Sequence, residues 1–153
     1  MSAVERILVA VDGHPEGQRA LEYALDLADS LAATLHAVAV EGRLPRYSAT
    51  VAEVDETKRD KDEFFDTLAR LASEQAAEHG ITLEVELAAG PPADAIIRVA
   101  RRAHDDLIVV GYRRRLFGST ADRLCHHAPC PVLIVRGDSP NTAGEDAFES
   151  ALR

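Results

Sequence analysis

The chain alternates between short, continuous apolar runs and longer segments whose apolar residues recur every three or four positions, and few architectures satisfy both patterns at once. The runs Ile7-Leu8-Val9-Ala10-Val11, Leu35-His36-Ala37-Val38-Ala39-Val40, Leu107-Ile108-Val109-Val110-Gly111 and Pro131-Val132-Leu133-Ile134-Val135 leave neither face polar. The first three predict strands covered on both sides, and the last a fifth strand. Between them, Leu21, Ala24, Leu25, Ala28, Leu31 and Ala32 mark a helix over 15–33, with Pro15 suited to its first turn. Phe64, Leu68, Leu71 and Ala72 trace a long helix over 55–79, stopped by Gly80, and its charges at 58–63 read as a solvated face. Ala93, Ile96, Ile97, Ala100 and Ala103 trace a third, ending near His104.

The segment Ile81–Leu87 alternates apolar with polar residues, the pattern of an edge strand with one wet face. Residues 42–54 carry Gly42, Pro45 and no period, which predicts an irregular surface loop able to act as a flap. A short fourth helix opens at Gly118-Ser119-Thr120-Ala121-Asp122, with Ser119 as its cap and Asp122 answering it. Strands and helices in this order argue for one α/β domain: a parallel sheet with helices on both faces and right-handed crossovers. Such sheets take ligands outside the C-terminal ends of their strands, here at 12–17, 40–45, 88–92 and 111–120.

The chain has 153 residues, the size of a single domain with its own core. No stretch approaches the roughly 20 apolar residues of a membrane span, and Glu5 and Arg6 interrupt the place where a secretory segment would begin, so the expected location is the cytoplasm. A net charge of −9 opposes nucleic acid and anionic membranes as partners. Cys125 and Cys130 read as reduced thiols. With His126 and His127 they hold ligand chemistry for zinc, but Cys125, His126 and His127 lie on a helix end and Pro129 and Pro131 stiffen the backbone around Cys130, so no metal is expected.

The segment with most chemistry is Gly111-Tyr112-Arg113-Arg114-Arg115-Leu116-Phe117-Gly118-Ser119-Thr120. It follows a buried strand and opens a helix, where backbone N–H groups and the helix dipole favour an anion. Glycine at 111 and 118 permits close approach of the backbone to a phosphate, and Arg113 brings bidentate donors. A second reading stands beside it: the glycines make turns, Ser119 is only a cap, and the arginines face water or pair with acidic groups.

These segments resemble the universal stress protein family over residues 5–136. The resemblance rests on Arg6-Ile7-Leu8-Val9-Ala10-Val11-Asp12-Gly13, on Ala93-Asp94-Ala95-Ile96-Ile97 through Asp106-Leu107-Ile108-Val109-Val110-Gly111, on Gly118-Ser119-Thr120-Ala121, and on His127-Ala128-Pro129-Cys130-Pro131-Val132-Leu133-Ile134-Val135-Arg136. It implies a five-stranded parallel sheet of order 3-2-1-4-5, of the adenine-nucleotide alpha-hydrolase-like type, over residues 1–137, followed by a polar tail over 138–153. It implies a homodimer in which the fifth strands meet, through Val132, Leu133, Ile134 and Val135. An unpartnered apolar edge strand would be avoided on physical grounds too. The implied ligand is an adenine nucleotide, ATP, ADP or AMP with Mg²⁺, with Asp12 and Gly13 at the ribose or adenine region, Val40 seating adenine, and Gly111, Arg113, Gly118, Ser119 and Thr120 at the phosphates.

The chain departs from the family's pattern of a glycine, two residues, a second glycine, nine residues, then glycine and Ser or Thr. Arg114 stands at the second glycine, and Gly111 to Gly118 spans 7 positions, six short of the pattern. Six residues are about 20 Å of extended chain at roughly 3.3 Å each, most of a loop that would wrap a triphosphate. His14 and Gly17 occupy positions where the family commonly has serine; His14 is either a phosphate contact or a surface residue in place of a cap. Neither a P-loop, a nucleophile elbow nor a dinucleotide fingerprint is present, so catalysis beyond slow nucleotide hydrolysis is not expected. Two functions follow: a stress-response dimer that binds a nucleotide or other phosphorylated ligand weakly, or a nucleotide-independent dimer that engages regulatory protein partners after losing the ATP loop.

Overall fold

The computed structural model describes residues 3–41, 51–112 and 120–136. Five strands, β1 (Arg6–Val11), β2 (Thr34–Glu41), β3 (Glu84–Ala89), β4 (Leu107–Tyr112) and β5 (Val132–Arg136), alternate with four helices, α1 (Pro15–Leu31), α2 (Val51–Glu78), α3 (Pro92–Ala103) and α4 (Thr120–His127). The strands form one sheet of order β3-β2-β1-β4-β5, every pair parallel. Val9, at the centre, faces Ala37 on one side and Val109 on the other. The chain winds outward from β1 to β3, then crosses back to β4, so the sheet's switch point lies between β1 and β4.

Side chains alternate along a strand, and β1 divides its own between two cores. Ile7, Val9 and Val11 pack with Leu21, Leu25 and Ala28 of α1 and with Ala72 and Ala76 of α2. Leu8 points the other way, to Ile96, Val99 and Ala100 of α3 and Leu124 of α4. Full burial of a leucine or isoleucine contributes about 1.5–3 kcal/mol, and Ile7, Leu8, Leu21, Leu25, Ile108 and Leu124 are all wholly enclosed. No helix among the described residues is long and apolar enough to cross a membrane.

Three helices end alike, in a left-handed residue followed by a backbone N–H that reaches back five positions. In α2 the left-handed residue is Gly80, and Ile81 N donates to Ala76 O at 3.0 Å. In α1 and α3 it is Ala32 (φ 53°) and His104 (φ 56°), with Ala33 N and Asp105 N donating to Ala28 O and Ala100 O. This capping explains two shifted boundaries. The helix expected over 15–33 stops at Leu31 because Ala32 turns left-handed. The strand expected over 81–87 runs instead from Glu84 to Ala89, since Ile81 is spent closing α2. β3 is an edge strand, paired to β2 alone.

α2 also begins earlier than the sequence suggested. Its first residue is Val51, and the part of the expected irregular loop over 51–54 is helix, because no glycine or proline interrupts those positions. Positions 42–50 lie outside the described residues, as do Gly118 and Ser119, the expected start and cap of α4, and the expected tail at 138–153.

The N-terminal ends of the strands are tied by two aspartates. Asp106 Oδ2 accepts the backbone N–H groups of Glu5 and Arg6, both at 2.9 Å, joining β1 to the segment before β4. Asp105, its side chain fully enclosed, meets His36 Nε2 of β2 at 2.7 and 2.8 Å through its two oxygens. The histidine inside the second apolar run is therefore there to satisfy a buried carboxylate.

Candidate functional site

At the opposite, C-terminal end of the strands lies a cavity of about 400 Å³. Its floor is Ala10 and Val11 of β1, Val40 of β2 and Val110, Gly111 and Tyr112 of β4. The first turns of three helices supply the sides: His14 and Gly17 around α1, Pro92 and Ile96 of α3, Thr120 and Ala121 of α4. α2 supplies the remaining wall with Lys61, Phe64 and Phe65.

Asp12 follows the last residue of β1 and is held by its own turn. Its Oδ1 accepts the His14 backbone N–H at 2.9 Å, an Asx turn that leads the chain into α1. His14 is the N-cap residue by backbone geometry, but its side chain makes no capping hydrogen bond, and its carbonyl accepts the Gln18 N–H at 3.0 Å. The imidazole lies on the cavity wall.

Two glycines fix how α1 meets the sheet. A Cβ at position 17 would stand 2.2 Å from Asp12 Oδ1, so Gly17 lets the carboxylate lie flat on the first turn of α1. A Cβ at Gly111 would stand 2.4 Å from the Glu16 carbonyl oxygen and 2.6 Å from its carbon. Gly111, expected from the sequence to let a phosphate approach, lines the cavity and also lets the α1 backbone come close. Gly13 has φ +80°, and Phe64 Cζ would lie 2.8 Å from a Cβ there, so the tip of the phenyl ring takes the space a side chain at Gly13 would need.

Asp12, Val40, Gly111 and Thr120, expected from four separate places in the sequence, therefore line one cavity. Gly13 lies beside it under Phe64. Arg113, Gly118 and Ser119 fall outside the described residues. Sequence reasoning missed the contribution of α2. The run at 58–63 is not wholly a solvated face, since Lys61 is half-buried at the cavity. The signal was present, because Lys61, Phe64, Phe65 and Leu68 fall at the spacing of one helix face and continue the stripe by a turn.

β5 pairs only with β4, and Val132, Leu133, Ile134 and Val135 are each half-buried within the single chain. Near its start, burial first, then the neighbouring Asp105 and Asp106 charges, push the Cys130 thiol above its ordinary value. Cys125 is exposed and His126 Nδ1 lies 2.8 Å from Asp122 O. Among the described residues no group of three or more His, Cys, Asp or Glu is placed to hold a metal ion.

Parallel strands in the order 3-2-1-4-5, helices on both faces and a cavity at the switch point define an open α/β protein of the adenine-nucleotide alpha-hydrolase-like fold. The profile of the universal stress protein family matches residues 3–136, and the chain belongs to that family. Universal stress protein YxiE of Bacillus subtilis is 33% identical over 145 residues, covering 86% of this chain and 98% of YxiE. The solved structure of the universal stress protein UspA from Lactobacillus plantarum superposes with a TM-score of 0.77 at 25% identity, over 89% of this chain and 100% of that one. A universal stress protein family protein from Arabidopsis thaliana, solved with AMP bound, shares the fold at a TM-score of 0.70 and 21% identity, over 94% of this chain and 98% of its own.

Proposed function

We propose that the cavity binds an adenine nucleotide without turning it over, and that the protein works as a cytoplasmic homodimer in the response to stress. The observation that carries the binding reading is the convergence of Asp12, just past β1, Val40 of β2, Gly111 of β4 and Thr120 of α4 on one cavity at the switch point. Open α/β sheets place their ligands at that position. The AMP seen with the Arabidopsis relative is a ligand of matching chemistry.

The described wall suits the group. Val40, Ile96 and Phe64 offer apolar surface to a base, and the Asp12 carboxylate, already oriented by its turn, is an acceptor for ribose hydroxyls. Thr120 opens α4, where the helix dipole favours negative charge. Gly13 lets the Phe64 ring come close beside Asp12; Arg113, Gly118 and Ser119 complete the phosphate side of this reading. Asp12 is the one carboxylate among the described lining residues, so any Mg²⁺ is held chiefly by the phosphates it accompanies.

The test is to denature the purified protein, chromatograph the supernatant, and titrate the native protein with ATP, ADP and AMP in Mg²⁺. Stoichiometric adenine nucleotide, or a melting temperature that climbs with ligand concentration, supports the reading. An empty protein indifferent to millimolar nucleotide refutes it and leaves the protein-interaction dimer. Pairing through β5 is supported by the half-open apolar edge of Val132 to Val135. Ile134→Pro is expected to give monomer or unfolded chain by light scattering, and a dimer that survives the substitution places the interface elsewhere.

A further inference from the structure

α2 carries two jobs along one face. Phe65, Leu68, Ala72 and Ala76 pack into the core shared with α1 and the sheet. One turn earlier the same stripe reaches Lys61 and Phe64, which line the cavity. Phe64 is 51% exposed, an unusual position for a phenyl ring on an otherwise buried stripe. Its ring meets Phe65 edge-on, with centroids 5.6 Å apart and planes at 77°, and brings its tip against Gly13, next to Asp12. Lys61 is half-buried and lines the same cavity. Among the described lining residues it is the one lysine or arginine. An anionic ligand entering a cavity that already holds the Asp12 carboxylate, in a chain of net charge −9, needs such a cation.

Resting on the nucleotide reading above, we propose that Lys61 and Phe64 are specificity residues: the Lys61 ammonium recognises the ligand's phosphate and the Phe64 ring covers its base. The site so built takes a nucleoside phosphate in preference to the bare nucleoside.

Calorimetric titration with AMP and with adenosine separates the two roles. Lys61→Met is expected to weaken AMP by about tenfold or more, the effect of one charge-assisted hydrogen bond, while adenosine binds as before; Lys61→Arg retains AMP. Phe64→Ala is expected to weaken AMP and adenosine by a common factor of about tenfold, the usual worth of an aromatic stack on a base. Melting temperatures of the free variants, read alongside, separate a loss of binding from a loss of stability. Equal affinity of the parent for AMP and adenosine, or AMP binding unmoved by Lys61→Met, overturns the role of Lys61. Binding unmoved by Phe64→Ala overturns the stack. Silence of the parent toward both ligands overturns the nucleotide reading itself, and this inference with it.

Discussion

Replacing Gly111 by alanine tests the packing of α1 on β4 directly, without any ligand. The added methyl would sit 2.4 Å from the Glu16 carbonyl oxygen, whereas ordinary contact begins at 3.4 Å, so the first turn of α1 must retreat by the difference, 3.4 − 2.4 = 1.0 Å. The obstacle is backbone, which cannot swing aside as a side-chain tip can. A gap of about 0.5–1 Å forfeits a quarter to a half of each dispersion contact along the surface that opens, and that surface is the wall of Ala20, Leu21 and Ala24 against the sheet. Overpacking of this kind costs about 1–3 kcal/mol. Taking about 2 kcal/mol, the melting temperature of a domain this size falls by roughly 4–8 °C. Gly80→Asn is the control. Gly80 has φ +72° with nothing within 4 Å of a Cβ, so asparagine, which tolerates the left-handed region, costs less than about 1 kcal/mol. Thermal or urea unfolding of the two variants decides the matter: a Gly111→Ala protein that melts within about 1 °C of the parent refutes the close-contact argument.

Other consequences are equally accessible. Ala32→Gly relieves a left-handed alanine at the end of α1 and is expected to stabilise by about 0.5–1 kcal/mol, read from the urea midpoint; a lower midpoint contradicts it. His36→Leu strands the enclosed Asp105 carboxylate and should cost about 3 kcal/mol or more, part of which the double variant with Asp105→Leu recovers; additive losses in that cycle would show that the two groups do not depend on each other. A thiol reagent at pH 8 should modify exposed Cys125 well before Cys130, whose raised pKa leaves little thiolate. Because folding raises the Cys130 pKa, the stability it contributes is complete below its ordinary 9.0 and is lost as the pH climbs beyond it; faster labelling of Cys130 than of Cys125 contradicts the assignment.

The central strands were legible because a strand buried on both faces has no polar positions to blur it, and β1, β2 and β4 announce themselves in that way. Helix stripes were equally plain where one face meets the sheet. What escaped was set by atoms distant in sequence. Gly111 looks like a phosphate-approach glycine because its neighbours are arginines, and only the fold brings the Glu16 carbonyl against it. His36 passes for a member of an apolar run until Asp105, 69 positions on, is seen beneath it. Lys61 sits in a run of charges whose composition reads as solvated, although its helical phase belongs to the buried stripe. Asp12, Val40, Gly111 and Thr120 could be grouped in advance because each falls just beyond, or at the end of, a strand, where a parallel sheet gathers its loops.

The position of β1 between β2 and β4 has a consequence in time. On a ribosome, β2 follows β1 after α1 alone, but the partner for its other edge, β4, is about 100 residues further along. At about 5–20 residues per second that interval is roughly 5–20 s. Through it the middle strand of the sheet keeps one row of N–H and C=O groups unanswered, with neither α3 nor β4 yet made to cover the side on which Leu8 points. The strand that will become the most protected in the finished molecule is thus the one that waits longest in the nascent chain.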